Sequence, residues 1–249
     1  GRRWATEPVT GRGRSISNGL TIPGFADRYA DPVRGRVAQC ATRRSRTHVA
    51  AEGADDVAAM WAALRDHGGP APQLSARWSP VNGALAAPCA HAAGILTTTQ
   101  STASWVADLR PHQGSGPLHW VTGTSAPCTS IAKPVRVTEP AAVDPGCVDS
   151  GAMPTDTFDP AYRWWRHERL HRLALRDHEQ ALARYAAERD RVEKQWFDEP
   201  PTTAEAFAAA DRLEEAWLEE LVAADLAETR PAWLRRRWRA IDRSARMPA

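Results

Sequence analysis

The chain has 249 residues, 43% of them apolar and 25% charged, with 32 basic and 30 acidic side chains leaving a net charge of +2. That balance excludes a global electrostatic drive toward nucleic acid or a membrane surface, and the length allows one large core or two small ones. No apolar run approaches the ~18 residues that span a bilayer, and Gly1-Arg2-Arg3-Trp4 is followed by no apolar signal core.

From the start, Trp4–Val9 is strand-like, Thr10–Gly13 is a turn signal, and Arg14–Asn18 with Leu20–Ile22 predicts a second extended stretch ended by Pro23-Gly24. Residues 25–53 are polar and Arg-rich and predict a partly helical surface connection. Within it Arg43-Arg44-Ser45-Arg46 is short and lacks interleaved aromatics, so it is expected on a solvated face rather than as a nucleic-acid patch. Val57, Met60, Trp61 and Leu64 repeat at helical spacing over residues 54–67, with Gly68-Gly69-Pro70 as the stop.

Residues 93–109, Leu118–Thr122 and Ser130–Val137 return to β-branched and apolar composition and predict a meander. Residues 138–159 carry turn formers without periodicity and predict a linker. From Asp159-Pro160 the pattern is helical to Phe197. Pro200-Pro201 interrupts it, Thr202 with Glu205 forms a capping-box signature, and a short last helix carries Trp233, Leu234 and Trp238. The fold class is therefore α+β. The eleven tryptophans, many at helix-packing spacings, are expected to anchor helices rather than to form a ligand platform.

Self-contained catalytic signatures such as phosphate loops, H-E-x-x-H or G-x-S-x-G do not occur. Four cysteines without C-x-x-C spacing suggest thiols in a reducing, cytoplasmic compartment. Cys89 and His91 would share a face if extended, but a metal there needs further ligands that the sequence does not point to. His167 and His171 have the i, i+4 spacing of a helical metal pair, yet sit among Arg and Glu and are expected on a solvated face. No metal site is predicted.

The segment Leu118-His-Trp-Val-Thr-Gly-Thr-Ser-Ala-Pro-Cys-Thr-Ser-Ile-Ala-Lys-Pro134 resembles the hallmark of the secernin branch of C69-type dipeptidases, in which a strand ending T-G-T leads into P-x-x-S-I-x-K-P. Cys89-Ala-His91-Ala92, the Thr- and Ser-rich stretch Thr98–Val106, Ile16-Ser17-Asn18-Gly19-Leu20-Thr21-Ile22, and Arg163–Leu175 resemble further segments of the same group, in the same order. The resemblance implies a partial αββα Ntn-hydrolase sandwich over residues 1–158 and a helical C-terminal region over 159–249. It implies a cysteine hydrolase of amide or dipeptide bonds whose N-terminal Cys thiol attacks and whose own α-amino group is the base.

Asn18 is expected to be catalytic, as an oxyanion or nucleophile-orienting donor, with a turn Asn as the alternative. His91, Thr98 and Ser104 are expected to line the substrate cleft. Cys128 lies inside the loop motif and is not the nucleophile. Gly1 offers no side chain, so the chain is expected to be the C-terminal portion of the enzyme, inactive alone. The partner implied is a small peptide or amide substrate, with no cofactor, no nucleic acid and no membrane, and with a homo-oligomer left open. The alternative function is a non-catalytic secernin-like interaction protein.

Overall fold

The computed structural model describes residues 15–22, 24–68, 85–95, 98–110, 116–137 and 155–248. The chain divides into two units, the first comprising residues 1–72 and 77–99 and the second residues 73–76 and 100–249. The strands expected at Trp4–Val9 lie outside the described residues.

In the first unit, residues 15–22 form no strand, and Ile16 is 82% exposed. Alternation alone does not make a strand: a ladder partner must take up the backbone groups, and none does so here among the described residues. The segment instead packs beside the helix that starts at Cys40, where a Cβ on Gly19 would lie 3.2 Å from Cys40 Cβ.

The expected surface connection holds three helices: α1 (Phe25–Tyr29), α2 (Pro32–Ala38) and α3 (Cys40–Glu52). Asp31 caps α2 by accepting from the amides of Val33 and Arg34, with Pro32 at the first helical position. Helix α4 (Val57–Leu64) begins at Asp56, whose carboxylate accepts from Ala59 N at 2.7 Å, and it buries Trp61 to 1% exposure.

The basic run of α3 is not simply a solvated face. Arg46 grips Asp66 with a two-pronged contact of 2.6 and 2.7 Å, and Arg43 donates to the carbonyls of Ala38 and Leu85. Burial would raise the Asp66 pKa, but the Arg46 fork and the Gly68 amide outweigh it and hold the carboxyl below its ordinary value.

The second unit holds an antiparallel sheet ordered β1 (Trp105–Asp108), β2 (Leu118–Val121), β3 (Lys133–Val135). Val106 faces Trp120, and Trp120 faces Pro134, so these three side chains share the buried face. Pro134 lacks a ladder donor and is accommodated because β3 ends the sheet.

The unit also holds α5 (Arg163–Ala174), α6 (His178–Asp198), α7 (Thr203–Ala224) and α8 (Ala232–Ser244); α7 packs on β3, α5 and α6 pack with α7, and α8 meets α5 through Trp238 beside His171 and Asp242 on Arg172. Phe197 and Trp120 meet edge to face with 4.7 Å between centroids, and Tyr185 stacks on Trp217 at 4.7 Å. Trp165, Trp196, Trp217 and Trp238 are all buried between elements of this unit, as expected of packing anchors. The single helix expected from 160 to 197 is two helices. The chain leaves α5 at Leu175 and restarts at Asp177, which caps Gln180 N at 3.2 Å. Among the described residues no helix is long and apolar enough to cross a membrane.

Candidate functional site

The loop between β2 and β3 is rich in buried polar side chains. Thr122, Thr124, Ser125, Thr129, Ser130 and Lys133 are each 0% exposed. Gly123 opens the turn at φ 63°, a left-handed conformation that glycine adopts without penalty, and Ala126 is held at φ 52°, where a side chain costs about 1–3 kcal/mol of strain. Such a loop is tolerable in a core when its polar groups find partners.

The partners come from three helices. From α5, His167 Nε2 lies 2.9 Å from Ser130 Oγ and 3.3 Å from Thr129 Oγ1, while Glu168 accepts from Ser125 Oγ at 2.5 Å. From α6, Glu193 accepts from Ala132 N at 2.7 Å, and Arg189 donates to the Cys128 carbonyl. From α7, Glu214 Oε2 stands 3.1 Å from His167 Nδ1. The angle of that contact falls short of a hydrogen bond, and Glu214 Oε1 has no hydrogen-bond partner among the described residues.

Electrostatics follow from these neighbours. Burial would raise the Glu214 pKa, but His167, Lys133 and Arg163 together bring it down to about 2. Glu168 behaves alike: burial opposes ionisation, and His171, Arg172 and Ser125 outweigh it, again to about 2. Burial pushes the Lys133 amine below its ordinary value; it donates to Ile131 O at 3.0 Å.

Ser130, His167 and Glu214 have the spacing of a nucleophile, base and orienting carboxylate. They are nevertheless a structural clamp. Ser130 Oγ is 0% exposed, it donates to Ser125 O at 3.0 Å, and it also lies 2.8 Å from Thr124 Oγ1, so a scissile carbonyl has no approach to it. His167 and His171, expected on a solvated face, are both fully buried: His167 meets Ser130 of the loop and Glu214 of α7, and His171 lies beside Glu168 of its own helix and Trp238 of α8, so the long-range partners are ones the local sequence of α5 does not reveal.

In the first unit, Asn18 is exposed, in a bend at residues 18–19. His91 is buried, whereas Thr98 is exposed and turns its hydroxyl onto the Gly94 carbonyl. His91 is gathered instead with Cys89 and with His67, a residue to which sequence reasoning gave no role: His67 Nε2 lies 3.1 Å from His91 Nε2, and Cys89 Sγ lies 3.4 Å from the same nitrogen. The signal was thin, since His67 is 22 positions before Cys89 in the sequence. Ser104, in the second unit, is held at the start of β1 by exchanging contacts of 3.0 Å with Thr122.

A cleft of about 610 Å³ in the second unit is lined by arginines, but three of them are already paired: Arg172 with Asp242 at 2.7 Å, Arg176 with Asp225 at 3.6 Å and Arg230 with Glu228 at 2.5 Å. Comparison with family models, curated proteins and solved structures returns no match.

Proposed function

We propose that this chain is the C-terminal portion of a secernin-like cysteine Ntn hydrolase, forming part of an αββα sandwich and acting on amide or dipeptide bonds in the cytoplasm. The observation that supports this best is the meeting of two separately recognised segments. The loop Thr122–Pro134 and helix α5 are joined through Ser130 to His167 and Ser125 to Glu168. Residues that match a family pattern at two distant places, and that then prove to be each other's hydrogen-bond partners, have a common physical reason for that pattern. In this proposal the loop and helices form the rigid support, and the attacking thiol belongs to a segment preceding the matched ones.

The burial of the loop hydroxyls, which are turned to α5 and to one another, also favours a second reading, in which the protein is a non-catalytic interaction partner. One experiment separates them. A reading frame extended to include the N-terminal Cys is assayed on a panel of dipeptides, beside the 249-residue chain. Hydrolysis by the extended protein that disappears when that Cys is replaced supports the hydrolase, and hydrolysis by neither protein supports the interaction protein. Turnover by the 249-residue chain itself overturns the proposed location of the nucleophile.

Asn18 gives a sharper test. In the extended protein, replacing this proposed oxyanion donor by Asn18→Ala lowers kcat about 100-fold or more. Its exposed bend position predicts an unchanged Tm. An unchanged kcat removes it from the mechanism.

A further inference from the structure

We propose that His67, Cys89 and His91 are three ligands of a structural zinc ion in the first unit. The three donor atoms all lie within 4.8 Å of one another, and all three residues are buried, at 7%, 2% and 1% exposure. A tetrahedral zinc with ordinary bond lengths sets its N···N and N···S ligand separations at roughly 3.3–3.6 Å. The observed 3.1 Å between the two Nε2 atoms and 3.4 Å between Cys89 Sγ and His91 Nε2 are close to those separations.

Hydrogen bonding accounts less well for the cluster. An imidazole nitrogen carries either one hydrogen or one lone pair, so His91 Nε2 serves one of its two neighbours well and the other poorly. A cation accepts from all three at once. One thiolate and two imidazoles form a borderline-soft donor set, which suits zinc rather than magnesium or calcium.

The frame that holds the ligands is independent of the ligand atoms. His67 follows α4 directly, and the preceding Asp66 is fixed by the Arg46 fork and by the Gly68 amide at 2.7 Å. Asp66 O also accepts from Cys89 N at 3.1 Å, which brings the 89–91 segment alongside His67. Ala92, next to His91, is held at φ 47°.

The first unit also has a need for such a staple. Among its described residues the buried apolar side chains are Trp61, Leu85, alanines and cysteines. So small an apolar interior stabilises a unit poorly, and a structural metal is one of the usual remedies. Ligand deprotonation and metal binding would then contribute directly to folding.

The test uses the 249-residue chain. Purified without chelator, it is expected to carry about one equivalent of zinc, by mass spectrometry of the metal. Stripped and refilled with Co²⁺, it is expected to show a sulfur-to-cobalt charge-transfer band, which Cys89→Ser abolishes. His67→Gln and His91→Gln are expected to lower the zinc content. A wild-type chain that takes up neither metal, a cobalt form lacking the sulfur band, or a Cys89→Ser protein that keeps the band overturns the site. The first two readouts need no variant, so misfolding of a substituted chain does not blur the result.

Discussion

Glu168 accepts from Arg172 Nε at 2.8 Å, from Gln100 Nε2 at 3.0 Å and from Ser125 Oγ at 2.5 Å, with His171 Nδ1 at 3.5 Å. These donors keep the carboxylate ionised in a buried place, and Glu214 is held in the same way beside His167. Both pKa values fall from the ordinary 4.5 to about 2, so the unfolded chain binds protons more readily than the folded one between those limits. Stability from each group is fully present above pH about 4.5 and is lost as pH falls toward about 2, on the order of 3 kcal/mol apiece. Glu168→Gln is expected to lower the Tm at neutral pH, by removing the buried charge that pairs with Arg172 and leaving that guanidinium only Asp242, and to flatten the acid limb. Thermal melts from neutral to acid pH measure both; an acid limb as steep as that of the unsubstituted protein counts against this role for Glu168. In the sequence, Glu168 is one acid in a helix crowded with charge. The inward face of α5 carries Arg163, His167, Glu168 and His171 because most of their partners come from elsewhere, Gln100, Ser125 and Ser130 before the helix, Asp211 and Glu214 on α7 and Trp238 on α8, and no period within α5 encodes that.

Helix α7 starts where local chemistry says it should. Thr202 Oγ1 accepts from Glu205 N at 3.3 Å, and the Glu205 carboxylate accepts from Thr202 N at 3.0 Å, satisfying two amides that a helix start leaves open. Thr202→Ala is expected to cost about 1 kcal/mol, read as a fall in urea midpoint with an unchanged slope. A midpoint within error of the unsubstituted protein shows that the cap contributes nothing. Signals of this kind were legible because donor and acceptor lie three residues apart. Asp177 offered a similar signal before Gln180, but the long amphipathic pattern from Leu170 to Trp196 hid the restart. What closes the break is distant: the Arg176 carbonyl accepts from both the amide and the hydroxyl of Thr229 at 2.9 Å. The stretch 15–22 shows the opposite error, an extended pattern without a strand, because pairing is a property of two segments and composition reports on one.

At the scale of the whole chain, the sequence suggested a line at residue 158, between a β-rich half and a helical tail. The hydrogen bonds of the second unit run across that line. Ser130 meets His167 at 2.9 Å, Ala132 N meets Glu193 at 2.7 Å, and Arg136 N meets Thr203 Oγ1 at 3.0 Å. Cutting there strips α5, α6 and α7 of the loop that neutralises their inward polar groups, and buried groups left without partners cost about 1–3 kcal/mol each, more when charged. Cooperative unfolding is therefore expected of residues 100–249, which fall in one compact unit. A fragment of residues 100–249 is expected to unfold in urea as one sigmoidal transition, with helix and tryptophan signals coinciding. A fragment of residues 159–249 is expected to keep some helical signal in far-ultraviolet circular dichroism but to melt gradually, because its helices retain their pattern while His167, Glu193 and Glu214 lose or weaken their setting. Equal midpoints and equally sharp transitions for the two fragments would show that the helices fold without the strands and that the buried loop is merely covered by them.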